Sequence, residues 1–428
     1  MTKKLQDSKN TSTNSAMKTS TWKESLLADL ILPPEPGSRP PGGAHCDSGD
    51  VPSIGGENID TAGRMILSGL KLIPRFFYMH MPRGHLRPLD VLINKDGAQT
   101  GKVAMYRGEY AESAVNEHVF ILRGRHSVLL QPYLFYCLLF DSAQVQISRA
   151  ISGSAQPGLN SRFVHLVKVK YPVDLAEQRR IAEILDTVDE VIQKTEQVID
   201  KLKMIKQGLL HDLLTRGIDD NGKLREVVEP QPLQPISAMA EINPPQTVSV
   251  ESPDAWVSFV PMADVSDQGC WEANQVRLYK EVCRGFTAFQ EGDVLFAKIT
   301  PCMENSKGFL AQNLMNGIGF GSTEFHVLRA RLGNSQRYLA HLLRSPRLRK
   351  RAEAFMIGSA GQQRVQAGFF ECYETRFVTH DEQERIADVL DAHDARIRAE
   401  EAYRDKLKML KQGLMHDLLT GKVRVKVA

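Results

Sequence analysis

The sequence predicts an α+β protein: two mixed α/β modules in a pseudo-two-fold arrangement, separated by two long antiparallel helices of coiled-coil type. Three observations predict it. The segment Glu177 to Thr215 returns as Glu382 to Thr420 at a constant offset of 205 residues, with 24 identities in 39 positions. The first copy carries apolar residues at heptad spacing. Each copy is preceded by short apolar runs punctuated by turn residues, the pattern of strands.

Residues 1–20 are polar and read as a disordered tail, and Pro33 to Ser53, rich in Pro and Gly, reads as loop. Arg75 to Tyr78, Val91 to Ile93 and Val119 to Leu122 then read as strand-like in the first module. Trp256 to Val260, Val294 to Phe296 and Phe325 to Leu328 do so in the second. A helix follows in each, near Pro132 to Phe140 and Arg337 to Leu343, and then a Gly-Ser loop. The expected divisions are 21–174 and 236–378 for the modules, 175–216 and 379–422 for the long helices, 217–235 for a linker and 423–428 for a tail.

The helix pattern is explicit. Ile181, Leu185, Val188, Ile192, Thr195, Ile199 and Leu202 alternate spacings of four and three, and no proline interrupts Leu175 to Gly217. About thirty residues give a rod of roughly 45 Å. The second seam, Ile386, Leu390, His393, Ile397, Glu400, Arg404 and Leu407, is diluted by three polar members. Core packing accounts for a repeated seam. It does not require the repeated surface residues Lys201, Lys203, Lys206, Gln207, His211 and Asp212, which return as Lys406, Lys408, Lys411, Gln412, His416 and Asp417. A docking surface presented twice to the same partner does.

Apolar residues make up 42% and charged residues 25%, and the formal net charge is +3. That balance excludes a uniformly basic coat but allows a local basic face. No run is apolar and long enough to span a bilayer, no apolar signal segment opens the chain, and the six cysteines form no CxxC pair. A reducing cytoplasmic setting follows.

Basic and amide residues cluster on turns. The first module offers Lys95, Gln99, Thr100, Lys102, Arg107, Arg123 and Arg125, with Ser154, Gln156, Asn160 and Arg162 around its Gly-Ser loop. The second offers Lys298, Thr300, Asn305, Lys307, Arg329 and Arg331, with Ser359, Gln362, Gln363 and Arg364 on the matching loop. Such side chains bond base edges and phosphates. Arg337 to Arg351 holds Arg344, Arg347, Arg349 and Arg351 without an acid, a local phosphate site or a surface for an acidic protein. Two motifs invite enzymatic readings. Asn243-Pro-Pro-Gln246 lacks the aromatic of an adenine methyltransferase motif, and Gly317 to Gly321 lacks a strand–turn–helix context. Both read as turns. No P-loop, HExxH, nucleophile elbow or nuclease constellation occurs.

The layout resembles the specificity subunit of type I restriction-modification systems. EQxRIAxxLD at Glu177 to Asp186 and Glu382 to Asp391, and KxKxxKQGLxxDLLT beyond it, resemble that family's constant regions. Ala263 to Val265 after Val257 to Met262, the GDVLFAK run (Gly292 to Lys298) and INPP at Ile242 are similar to pieces of its target-recognition domains. The resemblance implies a non-catalytic subunit that reads a split, asymmetric site on double-stranded DNA, with the helices as a ruler between half-sites. It implies two methyltransferase subunits using S-adenosylmethionine and motor-nuclease subunits using ATP and Mg²⁺, with no cofactor on this chain. The alternative is a protein-only scaffold whose helical hairpin recruits two copies of a partner.

Overall fold

The computed structural model describes residues 21–45, 48–153, 157–226, 232–245, 250–271, 273–359 and 361–426. The chain forms two compact units. One comprises residues 1–195 and 403–428, the other residues 196–402. Each unit therefore holds the first part of one long helix and the last part of the other.

The first unit is built on an antiparallel four-stranded sheet in the order Glu35–Pro36, Val119–Leu122, Val91–Asn94, Val103–Met105. Val91–Asn94 and Val119–Leu122 are buried at every position, which is why they read as continuous apolar runs rather than alternating ones. Ile93 pairs with Phe120 in this register. A smaller sheet orders Lys71–Ile73, Val51–Ile54 and Ala114–Val115, the last two running parallel. The helix Gln131–Leu139 covers the main sheet. It starts with Pro132 in its first turn, where a missing N–H costs nothing, and buries Tyr133, Leu134, Tyr136 and Leu138.

The second unit repeats the plan. Its main sheet orders Ala240–Ile242, Phe325–Ala330, Val294–Ala297 and Gly308–Leu310, with Phe296 opposite His326. Its other sheet orders Val276–Leu278, Trp256–Val260, Ile318–Gly321 and Thr287–Gln290, again with one parallel pair. The helix Gln336–Leu343 takes the place of Gln131–Leu139. Ser335 caps it, its hydroxyl accepting from the Tyr338 N–H.

Two local expectations change. Arg75 to Tyr78, read as strand-like, belongs to the helix Arg75–His80. Pro74 enters that turn, and the Tyr78 and Met81 N–H groups donate to the Pro74 and Phe77 carbonyls. The run lacks the alternation of a half-buried strand, and its Phe76 is 75% exposed. Gly317 to Gly321, read as a turn, is a turn only at Gly317 (φ +70°), and Ile318–Gly321 is a strand. A Cβ on Gly319 would sit 2.2 Å from the Phe289 ring, so glycine lets that ring pack flat on the strand.

The long helices run Leu175–Thr215 and His380–Leu419, 41 and 40 residues. In the first, Ile181, Leu185, Ile192, Thr195, Ile199 and Leu202 are buried, and Thr195 spends its hydroxyl on the Val191 carbonyl. In the second, Ile386, Leu390, Ile397 and Leu407 are buried while His393, Glu400 and Arg404 stay partly exposed.

The helix parts run antiparallel within each unit. In the first, Glu177 pairs with Arg424 at 2.7 Å and Asp189 with Lys411 at 2.6 Å. Ile181 and Leu185 share a core there with Met415 and Leu418. In the second, Lys203 pairs with Glu401 at 2.7 Å and Lys206 with Asp394. Ile386 and Leu390 share that core with Leu210 and Leu213. Among the described residues no helix is long and apolar enough to cross a membrane.

Candidate nucleic-acid interface

Three loops meet at one end of the main sheet in the first unit. The strand Val91–Asn94 runs into Lys95. The Lys95 N–H donates to the His118 carbonyl, and its own carbonyl accepts from the Leu159 N–H. The Gly97 N–H donates to the Pro157 carbonyl, and the Thr100 hydroxyl donates to the Gly97 carbonyl at 2.6 Å. Asp96 lies at the centre, 2.7 Å from Lys95 Nζ and 3.1 Å from His118 Nδ1. Burial raises the Asp96 pKa, but hydrogen bonds from Lys95 and His118 outweigh it and hold the carboxyl below its ordinary range. Gln99, Asn160 and Arg162 are exposed around this junction, and Lys102 is half-buried. Asn160 Oδ1 accepts from the Arg162 N–H. Ser154 and Gln156 lie outside the described residues.

The second unit builds the same junction on the same backbone bonds. The Lys298 N–H donates to the Glu324 carbonyl, the Val365 N–H to the Lys298 carbonyl, and the Thr300 N–H to the Gln363 carbonyl. Each has its counterpart in the first unit, but the side chains differ. Where His118 meets Asp96 in one, Arg364 makes a bidentate pair with Glu324 in the other, at 2.8–3.2 Å. Arg364 is the main cause of a lowered Glu324 pKa. Asn305, Ser359 and Gln362 are exposed, Gln363 is half-buried, and Thr300 donates to Glu304 at 2.9 Å. Lys307 donates to the Met262 carbonyl. A constant frame carrying variable polar groups is what a reader of variable sequence needs.

Several of the sequence-selected arginines are turned inward. Arg123 donates to Asp90 at 2.6 and 2.7 Å and to Glu35 at 2.6 Å. Arg329, its counterpart, donates to Asp293 at 2.8 and 2.9 Å. Both acids are buried, so these are scaffold pairs at the root of each junction. Arg349 stacks on the Phe296 ring and donates to the Leu343, Met303 and Lys307 carbonyls. Burial pushes it down to about 9, and its place is that of a post under the 300–307 loop. Arg344 is half-buried beside Asp394. Arg125, Arg331, Arg347 and Arg351 are exposed. Nothing in a charge run marks which members meet a distant carboxylate or carbonyl, so sequence alone could not separate these groups.

The repeated helix residues also divide. Lys206 and Lys411 occupy equivalent ion pairs with Asp394 and Asp189, and Lys203 pairs with Glu401. Burial lowers the Lys206 pKa, and Arg344 adds to it against the opposing pull of Asp394. Asp212 and Asp417 are half-buried, and Asp417 pairs with Lys422. Lys201, Gln207, His211, Lys406, Lys408, Gln412 and His416 are exposed. Between them lie exposed apolar residues at matched positions, Met204 and Ile205 in one helix and Met409 and Leu410 in the other.

The EQ dipeptides, repeated in the sequence, act as latches in the fold. Gln178 accepts from the Leu130 N–H and donates to the Val128 and Pro172 carbonyls. Gln383 accepts from the Ser335 N–H and donates to Val378. Glu177 clasps Arg424 just beyond the second helix, and Glu382 clasps Arg225 just beyond the first. Among the described residues no group of three His, Cys, Asp or Glu is placed to hold a metal ion.

Residues 19–204 match the family described as type I restriction modification DNA specificity domain. The specificity subunit of the type I restriction enzyme EcoAI of Escherichia coli is 38% identical over 191 residues, covering 44% of this chain and 32% of that protein. The chain thus spans about a third of the length of the E. coli relatives it matches. The MjaVIII specificity subunit of Methanocaldococcus jannaschii is 22% identical over 373 residues, 79% of this chain and 80% of that protein. A type I restriction-modification S subunit from M. genitalium shares the fold, with a TM-score of 0.59 at 12% identity over 94% of this chain and 97% of that one. A chain from a type I restriction-modification assembly gives 0.54 at 15% identity, covering 93% and 97%. The matched residues 19–204 carry the first junction, and the second unit repeats its junction bonds.

Proposed function

We propose that this chain is the sequence-specificity subunit of a type I restriction-modification complex. Each loop junction reads one half of a bipartite, asymmetric site on double-stranded DNA, and the long helices set the spacer. The observation that carries the reading is the doubled junction: one backbone frame, made by the same hydrogen bonds, bearing His118 and Asp96 in one unit and Glu324 and Arg364 in the other. Two copies of an unvarying frame with differing polar tips suit two half-sites of unlike sequence. The duplicated exposed patch, with Lys201, Met204, Ile205 and Gln207 matching Lys406, Met409, Leu410 and Gln412, suits a partner bound twice. Two methyltransferase subunits fill that role, and motor-nuclease subunits complete the complex. Methylation with S-adenosylmethionine and cleavage with ATP and Mg²⁺ belong to those partners, and this chain supplies the address without chemistry of its own.

Arg347 and Arg351 are exposed on the helix Pro346–Glu353 and supply sequence-independent phosphate contact. Replacing both with Ala weakens binding alike on all duplexes and lowers the slope of log K against log [salt] by about 1–2. Fluorescence anisotropy across a salt series reads the slope, and an unchanged slope contradicts phosphate contact. Arg349→Ala instead removes the post under the 300–307 loop and lowers stability, because its guanidinium is buried.

A further inference from the structure

Asn243, the asparagine of the INPP motif, and His326 have no part in the function so far. His326 lies in the strand Phe325–Ala330, a buried residue at 6% exposure, with its ring edge-on to Phe370 at 5.6 Å. Asn243 sits at φ +50°, a left-handed turn that asparagine tolerates. Its Oδ1 accepts from the Val327 N–H at 3.0 Å, and its own N–H donates to the Val327 carbonyl at 2.7 Å. The amide is thereby oriented, and its Nδ2 faces His326 Nδ1 at 3.1 Å, with Oδ1 at 3.3 Å. His326 Nδ1 then accepts, and Nε2 carries the proton, donating to the Val365 carbonyl at 2.8 Å. Val365 in turn donates its N–H to the Lys298 carbonyl. One neutral imidazole thus ties the 243 turn, the central strand and the 361–365 loop to Lys298.

We propose that Asn243 and His326 form a positioning clamp that sets the base selectivity of the second junction and opens when His326 takes up a proton. The proposal rests on the reading that this junction contacts DNA. A proton on Nδ1 ends its acceptance from the Asn243 Nδ2 and turns it to Oδ1, 3.3 Å away, which must then divide its acceptance with the Val327 N–H. The charged groups facing the ring are Lys298, which disfavours imidazolium, and Glu324, which favours it. Burial is the largest influence, ahead of the Val365 carbonyl, and holds the ring below its ordinary value of 6.5. With the closed-state value lowered, closure is fully favoured above 6.5 and weakens as pH falls below it. The first unit has Phe120 at the equivalent register position, with Lys95 over its ring at 5.6 Å, and so has no titrating clamp.

The test uses the full chain and a pool of random-sequence duplexes, with selected sequences read at pH 8 and pH 5.5. The half-site of the second unit is the one altered by Arg364→Ala. Wild type loses about fivefold in preferred-over-other base ratio within that half at the lower pH, the worth of one hydrogen bond. His326→Gln, an amide that does not titrate, gives the same ratio at both pH values, and Asn243→Ala lowers it at both. Ratios within one half-site cancel any uniform change in binding or in folded fraction. A wild-type ratio unchanged with pH, or a His326→Gln chain that keeps the wild-type pH response, overturns the clamp. Wild type that selects no bipartite motif at either pH overturns the DNA reading itself, and the clamp falls with it.

Discussion

Asp293→Ala removes about 3–5 kcal/mol from the second unit. The Asp293 side chain is 1% exposed and takes two hydrogen bonds from Arg329 and one from the Gln290 N–H. Without it, a guanidinium that is 20% exposed keeps, among the described residues, the Pro245 carbonyl at 3.5 Å as its hydrogen-bond acceptor. The loss is thus mainly an uncompensated buried charge, and Asp293→Ala with Arg329→Met recovers much of it. Asp90→Ala costs less in the first unit, because Arg123 there keeps Glu35 at 2.6 Å. Urea denaturation of the four chains checks the order. Equal losses for Asp90→Ala and Asp293→Ala count against this account.

Glu382→Gln is expected to cost a comparable ~3–5 kcal/mol, chiefly by stranding the buried Arg376 guanidinium. This carboxylate, 4% exposed, accepts from Arg225 at 2.8 and 3.1 Å, from Arg376 at 2.7 Å and from the Ile218 N–H at 3.1 Å. Burial raises its pKa, yet the bonds from Arg225 and Arg376 outweigh that and hold it below 4.5. A depressed value means stability that is complete above 4.5 and lost as pH falls through the folded-state value. Glu382→Gln therefore weakens the protein at pH 7 and flattens its acid limb. Hydrogen exchange localises the effect. Amides of 216–225 lose protection first, since the Arg225 guanidinium and the Ile218 N–H both bond this carboxylate. Unchanged protection there removes the latch role.

Local periodicity made much of this legible. The heptad seam Ile181 to Leu202 and the apolar runs at Val91 and Val119 carry their burial in their own spacing. Lys95 and Lys298, marked in the sequence as basic residues on matching turns, are the backbone pivots of the two junctions. What stayed hidden are pairings closed by tertiary geometry. Arg123 meets an acid 33 residues away and Arg329 one 36 residues away, and no local pattern distinguishes them from exposed Arg125 and Arg331. The repeated Lys206 and Lys411 read as surface until the antiparallel helix parts supply Asp394 and Asp189. His326, a lone histidine in an apolar strand, carries no sequence signal until its two nitrogens find Asn243 and Val365.

The central claim is that two dissimilar readers on one repeated frame address separate halves of a duplex site. The most direct test replaces residues 236–378 with another recognition module and compares the DNA sequences selected by the exchanged and parent chains. The account predicts that one half-site changes while the other half and the spacer are kept. A change in both halves, or selection of no sequence by the parent chain, contradicts it.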